Sequence, residues 1–146
     1  MSEPLRVVIA DDHAPTRAGV QYALEADGCV VLAAVSDASK AVAAALEERP
    51  EVCLLDINMP GGGIRAASQI TSALPDTAVV MLTASRDDED LFDALRAGAS
   101  GYLLKDMDPD RLAAATGAAT APDEVDLTAA EARDVVRAVR AAPRLR

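Results

Sequence analysis

Five short apolar runs recur along the chain, and they constrain its fold more than any other feature. They are nearly continuous in hydrophobicity and rich in β-branched residues, and they lie at residues 5–10, 29–35, 52–55, 78–82 and 101–104. Each run is too short for a helix, and short continuous apolar runs are typical of strands that are buried on both faces. We therefore predict five strands.

Stretches with helical periodicity follow each of these runs. They lie at residues 15–26, 39–49, 64–74, 87–97 and 108–119. Pro15 and Pro109 suit a first helical turn, where a missing N–H costs little, and Pro50 and Pro75 stop the second and third helices. A strand and a helix that alternate five times predict an α/β fold, a doubly wound five-stranded parallel sheet with helices on both faces.

The charge balance divides the chain into two parts. The whole sequence has 14 basic and 24 acidic residues and a net charge of −10. Residues 122–146 contain as many Arg as acidic residues, so the excess negative charge belongs to residues 1–121. We predict that residues 1–121 form one domain and that residues 122–146 form a linker and a short helical extension.

The extension carries the signals of one helix of about three turns. Thr128 and Glu131 have the spacing of a capping box, in which each side chain bonds to a backbone N–H at the helix start. An apolar stripe would then run along that helix, formed by Ala132, Val135, Val136 and Val139.

Composition excludes several classes of protein. An apolar content of 51% is enough for a packed core, and the net charge of −10 argues against a nucleic-acid-binding surface on this domain. Cys29 and Cys53 lie within apolar runs without metal-binding spacing, which indicates buried thiols in a reducing compartment. We find no secretory signal and no apolar run long enough to span a membrane, so we expect a soluble, cytoplasmic protein.

Polar residues with reactive or charged groups follow the predicted strand ends. They are Asp11-Asp12 after the first strand, Asp56 after the third, Thr83 after the fourth and Lys105 after the fifth. The carboxyl ends of parallel strands meet at one edge of the sheet, so the three carboxylates would converge and repel one another unless a cation such as Mg²⁺ lies among them. A lysine and a threonine opposite them could hold an anionic group. This set suits attack by a carboxylate on a phosphoryl group, which gives an aspartyl phosphate.

Taken together, these motifs resemble the receiver domain of bacterial two-component response regulators. The residues that carry the resemblance are Asp11-Asp12, Asp56 with Met59-Pro60, Thr83-Ala84 and Gly101-Tyr102-Leu103-Leu104-Lys105. The resemblance covers residues 5–119, the whole flavodoxin-like (βα)5 unit. Residues 79–106 look especially similar to the LuxR/NarL-type branch.

The resemblance implies roles for the site residues. Asp56 would accept the phosphoryl group from a histidine kinase, and Lys105 would pair with the phosphoryl oxygens. Asp12 would bind Mg²⁺ directly and Asp11 through water, with Asp56 and the main-chain carbonyl of Asn58 as further ligands. The protein would then be a signalling module rather than an enzyme, with only self-phosphorylation and self-dephosphorylation chemistry.

The resemblance also implies a switch. Thr83 would hydrogen-bond to the phosphoryl group, and Tyr102 would follow it inward, changing the face formed by the fourth helix, fifth strand and fifth helix. That face would control an output, transcription above all, and it could form a homodimer on phosphorylation. Two departures from the family pattern are Asp106, where many receivers have proline, and a loop at residues 60–64 that is one residue shorter.

Other functions fit the residues less well. A phosphohydrolase of the haloacid-dehalogenase type needs an acid two residues after its nucleophile, where this chain has Asn58. A flavodoxin-like electron carrier needs a phosphate-binding loop after the first strand, where Asp11-Asp12 would repel phosphate. We interpret His13, beside this pair, as an exposed loop imidazole.

The nature of the output stays open. Residues 127–131 resemble the opening of a LuxR-type helix-turn-helix, but too few residues follow for a recognition helix. The chain would be part of a longer DNA-binding regulator, or a stand-alone receiver that acts through protein contacts or as a phosphate sink.

Overall fold

The computed structural model describes residues 4–83, 93–94, 96–104 and 129–141. The strands are β1 (Arg6–Ala10), β2 (Val30–Val35), β3 (Val52–Asp56), β4 (Ala78–Thr83) and β5 (Gly101–Leu104). The helices are α1 (Ala14–Ala26), α2 (Ala38–Glu48), α3 (Gly63–Ala73) and the C-terminal helix (Ala129–Ala141).

All five strands lie in one parallel sheet with the order β2-β1-β3-β4-β5. This confirms the predicted α/β architecture, and the strand order is that of flavodoxin-like folds. The order reverses at β1 and β3, so the crevice outside their carboxyl ends is the expected place for a ligand. Asp11 and Asp56 both lie there.

The two faces of the sheet bury alternate residues of the same strands. On one face, α2 and α3 pack over Val8, Cys53, Leu55 and Met81. On the other face, the core around Val7, Ile9, Leu54 and Val80 includes side chains of α1 and of the C-terminal helix. The central strands are covered on both sides, which explains why they read as continuous apolar runs.

Local signals explain most helix limits. Asp37 caps α2, and its Oδ1 accepts a hydrogen bond from the Lys40 N–H at 2.8 Å. The helix therefore begins at Ala38, one residue before the predicted start. It ends at Glu48, and the C-cap residue Arg49, which precedes Pro50, has a left-handed φ of 50°. The third helix begins at Gly63, also one residue earlier than predicted, and ends before Pro75.

The C-terminal helix confirms the helix that the capping-box spacing and apolar stripe predicted. Val135 and Val139 are buried and Val136 is half-buried, whereas Thr128 lies outside the described residues. The predicted fifth helix at residues 108–119 also lies outside them, as does most of the predicted fourth helix at residues 87–97. Within the described part of the chain, no helix has the length and apolar character needed to cross a membrane.

Candidate functional site

Two neighbouring carboxylates follow β1 and have different exposures. The backbone of Asp11 extends the sheet, with its N–H donating to the Val35 carbonyl at 3.0 Å. The Asp11 side chain is fully buried, and its Oδ1 accepts a hydrogen bond from the His13 N–H at 2.9 Å. Asp12 is exposed. The strand end therefore presents one carboxylate inside the crevice and one at its rim.

The central strand ends in the third carboxylate. Asp56 is the last residue of β3 and is 3% exposed. Its Oδ1 accepts a hydrogen bond from the Asn58 N–H at 3.3 Å, and the next residue, Ile57, donates its N–H to the Leu82 carbonyl at 3.1 Å. Pairing of β3 with β4 at Leu82, and with β1 through Leu55 and Ala10, therefore positions this carboxylate at the edge of the sheet.

The fold brings the carboxylates of Asp11, Asp12 and Asp56 together, as the strand-end pattern predicts. One oxygen from each lies within 4.8 Å of the others. The buried pair, Asp11 and Asp56, would repel each other by on the order of 3 kcal/mol at the effective dielectric of a protein. Three hard oxygen donors at one edge, one of them open to solvent, fit Mg²⁺, which prefers oxygen ligands and retains waters.

The loop after Asp56 is held by its own backbone and by α2. The Gly62 N–H donates to the Met59 carbonyl and the Gly63 N–H to the Ile57 carbonyl, each at 2.9 Å. The Pro60 carbonyl accepts from the Ala38 N–H, also at 2.9 Å. A Cβ atom on Gly63 would lie 2.0 Å from the Asp56 carbonyl oxygen, closer than any side chain could come. Gly63 therefore allows α3 to begin directly against the backbone of Asp56.

Residues at the start of α1 hold the backbone of the loop that carries Asp11 and Asp12. Arg17 donates from Nη1 to the Asp11 carbonyl at 2.7 Å. His13 is exposed, as expected, but it occupies the N-cap position of α1, and its Nδ1 lies 2.6 Å from the hydroxyl of the buried Thr16. The sequence analysis missed Arg17 and Gly63. The sequence signal for Arg17 was its place in the first two turns of the helix that follows Asp11. The signal for Gly63 was a glycine at the start of a helix.

The remaining predicted site residues are only partly described. Thr83 is the last residue of β4 and pairs with Leu104 of β5, whereas the side chains of Thr83 and Tyr102 lie outside the described part of the structure. Ala84 and Lys105 lie outside it entirely. The backbone register still places the ends of β4 and β5 at the edge of the sheet that carries the three carboxylates.

Comparisons with known proteins agree on one family. The family model of the response regulator receiver domain matches residues 7–117. The chain is 38% identical over 141 residues to the transcriptional regulatory protein YxjL of Bacillus subtilis, covering 95% of this chain and 65% of that protein. It is 40% identical over 111 residues to the oxygen regulatory protein NreC of Staphylococcus epidermidis, covering 74% of this chain and 51% of that protein.

A solved structure supports the same relationship. The signal receiver domain of NarL from Mycobacterium tuberculosis superimposes with a TM-score of 0.69 at 35% identity, over 80% of this chain and 99% of that one. The chain thus spans between half and two thirds of the curated relatives that it matches, and nearly all of an isolated receiver structure.

Proposed function

Since the chain belongs to the response regulator receiver domain family of two-component systems, we propose that it receives a phosphoryl group on Asp56 in a reaction that requires Mg²⁺. The observation that carries this proposal is the cluster of Asp11, Asp12 and Asp56 within 4.8 Å at the switch point of the sheet. Asp56 is the acceptor because it ends the central strand, with the loop to α3 leaving its carboxylate at the crevice.

The reaction is a transfer from a phosphohistidine of a sensor kinase. A carboxylate oxygen of Asp56 attacks phosphorus, the bond from phosphorus to the histidine nitrogen breaks, and that nitrogen leaves with the bonding electrons and takes up a proton. The hydrogen bond from the Asn58 N–H orients the Asp56 carboxylate before attack. Burial of Asp56 limits competing water at the acceptor.

The other site residues supply charge and position. Asp12 and Asp11, with Asp56 and the main-chain carbonyl of Asn58, would hold Mg²⁺, which when bound offsets the negative charge of the carboxylates and the phosphoryl oxygens. Lys105 would pair with the phosphoryl oxygens, and Thr83 would donate its hydroxyl to them. Hydrolysis of the aspartyl phosphate by water would return the protein to its starting state.

Phosphorylation would control an output through the surface around β5. Thr83 and Tyr102 lie on neighbouring strands, so an inward movement at the end of β4 would be passed to β5. The names of the similar full-length proteins, a transcriptional regulatory protein and an oxygen regulatory protein, support transcription as that output. A sensor histidine kinase would be the phosphodonor, and a second copy of the chain a partner of the phosphorylated form. Contact with DNA would require an output domain.

The acceptor assignment is tested by incubating the full chain with Mg²⁺ and a small phosphodonor such as acetyl phosphate. Intact mass should show one added phosphoryl group, and Asp56→Asn should abolish it because the amide is not a nucleophile. The matched control is Asp76→Asn, which changes an exposed acid in the turn before β4 and should label like the wild-type protein. Labelling that persists in Asp56→Asn would exclude Asp56 as the acceptor.

A further inference from the structure

The C-terminal helix (Ala129–Ala141) packs against α1 and β5 instead of extending away from the domain. Val139 is fully buried and Val135 is 1% exposed, and both belong to the core cluster that contains Val20 and Leu24 of α1. The opposite side of the helix is polar, with Asp134 and Arg137 exposed and paired to each other at 3.8 Å. The helix therefore buries its apolar stripe against the receiver core. Without this packing the stripe would be exposed to solvent.

One arginine fastens this helix to the end of α1. Arg140 donates through Nε to the Asp27 carboxylate and through Nη2 to the Asp27 carbonyl at 2.8 Å. Asp27 is the C-cap residue of α1. A cation at this position also interacts favourably with the negative end of the α1 dipole. The ion pair is half-exposed, so it contributes less than the two buried valines.

We propose that the C-terminal helix is a docked arm of the receiver, held on the α1–β5 face by Val135, Val139 and the Arg140–Asp27 pair, and able to detach while the rest of the receiver stays folded. Among the residues whose side chains the structure describes, two of the arm are buried, whereas five are buried in α1, three in α2 and four in α3. Local opening begins where buried contacts are fewest. While docked, the arm keeps its apolar stripe in the receiver core.

Docking of the arm affects whether the same helix can take part in a DNA-binding output domain. A helix-turn-helix needs the apolar face of its first helix for its own core, and in this chain that face consists of the same valines. A docked arm therefore cannot act at the same time as the first helix of such a domain. The inference concerns a contact within the chain and does not depend on phosphorylation of Asp56, so either proposal can fail alone.

The two cysteines of the chain provide a measurement of docking. Cys29 belongs to the same core cluster as Val135 and Val139, and Arg140 and Asp27 are close enough to act on its thiol. Burial raises the pKa of Cys29, while Arg140 lowers it in part. Cys53 is fully buried in the cluster on the other face of the sheet, where burial raises its pKa to about 12. Labelling of Cys29 thus reports detachment of the arm, and labelling of Cys53 reports unfolding of the sheet.

The experiment labels the full chain with iodoacetamide under native conditions and follows each cysteine by peptide mass. Val139→Ala should increase the Cys29 rate roughly tenfold, since loss of buried methyl groups favours the detached state. Arg140→Ala should increase it by about threefold. Loss of the Arg140 charge alone would raise the Cys29 pKa and slow the reaction, so an increase reports exposure. Arg137→Ala, on the exposed side of the same helix, is the matched control and should leave the rate unchanged.

The rate at Cys53 decides whether the arm moves by itself. The proposal expects Cys53 to stay slow in every variant. Equal increases at Cys29 and Cys53 in Val139→Ala would overturn it, because the helix would then open only when the sheet unfolds. Unchanged Cys29 rates in both Val139→Ala and Arg140→Ala would also overturn it, because neither contact would hold the helix.

Discussion

Asp11 and Asp12 are neighbours in the sequence, yet the fold gives their carboxylates different surroundings. Asp11 is fully buried at the end of β1 and accepts a hydrogen bond from the His13 N–H, so it contributes to the local structure of the α1 start as well as to the charge of the crevice. Asp12 is exposed and adds charge to the same cluster. The described part of the structure shows no hydrogen bond between the Asp12 side chain and the backbone. The two acids should therefore respond differently to substitution.

At the residue scale, we predict that Asp12→Asn weakens Mg²⁺ binding by roughly tenfold or more while the melting temperature in EDTA is unchanged or higher. The substitution removes one charged ligand but also relieves repulsion among three carboxylates. Titration of Mg²⁺ and thermal melting measure the two effects. Asn58→Ala is the control, since a main-chain carbonyl ligand survives it and binding should persist. A lower melting temperature together with lost binding in Asp12→Asn would show that Asp12 is structural instead.

At the scale of elements, the loop between β3 and α3 connects the strand that ends in Asp56 to the helices α2 and α3. The Pro60 carbonyl accepts from the first residue of α2, and the Gly63 N–H returns to the Ile57 carbonyl, so the loop cannot shift without moving the backbone after Asp56. Gly62 and Gly63 are adjacent but serve different needs. Gly62 has a positive φ of 87°, and a Cβ atom there would meet the Arg65 Cβ at an ordinary contact distance of 3.8 Å, whereas Gly63 lies against the Asp56 carbonyl.

We predict that Gly63→Ala lowers both stability and the rate of phosphorylation, because the new Cβ would force the backbone of Asp56 to move. Overpacking of this kind costs roughly 1–3 kcal/mol. Gly62→Ala introduces only backbone strain at its positive φ, which costs roughly 1–3 kcal/mol, and it should leave the phosphorylation rate close to wild type. Denaturant unfolding and the rate of phosphoryl incorporation separate the two variants. Equal loss of rate in both would show that the loop conformation, and not the close approach of Gly63, positions Asp56.

On the scale of the whole molecule, the parallel sheet connects the carboxylate cluster at its central strands to the edge strand β5. The cluster lies at β1 and β3, and β4 lies between β3 and the edge strand β5. Thr83 and Leu104 are paired at the ends of β4 and β5, so a change at the β4 end reaches the edge strand directly. The switch that we propose would require free and phosphorylated states that differ by no more than a few kcal/mol.

We therefore predict that beryllofluoride with Mg²⁺, a mimic of the phosphoryl group, produces coordinated NMR shifts at the Thr83 amide, the Tyr102 ring and residues around Leu112. Amides on the exposed side of α2, such as that of Lys40, should stay unchanged and serve as the internal control. The expected cause is inward movement at the end of β4 toward the added dianion. Shifts confined to Asp11, Asp12 and Asp56 would mean that the domain binds phosphate without switching, as a phosphate sink would.

Much of the fold and part of the site could be predicted from the sequence, because both depend on local patterns. Strands that are covered on both faces must be apolar throughout, so residues 52–55 and 78–82 could be recognised without any partner. Proline cannot continue a helix, which placed the ends of α2 and α3 before Pro50 and Pro75. Parallel strands share one carboxyl edge, so Asp11, Asp12 and Asp56 could be assigned to one cluster, and the structure brings them together.

Only the tertiary structure decided what depends on contacts between distant segments. A glycine at the start of α3 and the spacing of Arg17 from Asp11 are visible in the sequence, but only the fold shows that Gly63 lies against the Asp56 carbonyl and that Arg17 donates to the Asp11 carbonyl. The apolar stripe of the C-terminal helix was visible in the sequence, but a stripe specifies only that a face is buried and not which surface covers it. That choice depends on packing against Val20 and Leu24 of α1 and on the pairing of Arg140 with Asp27, residues separated by 113 positions in the chain.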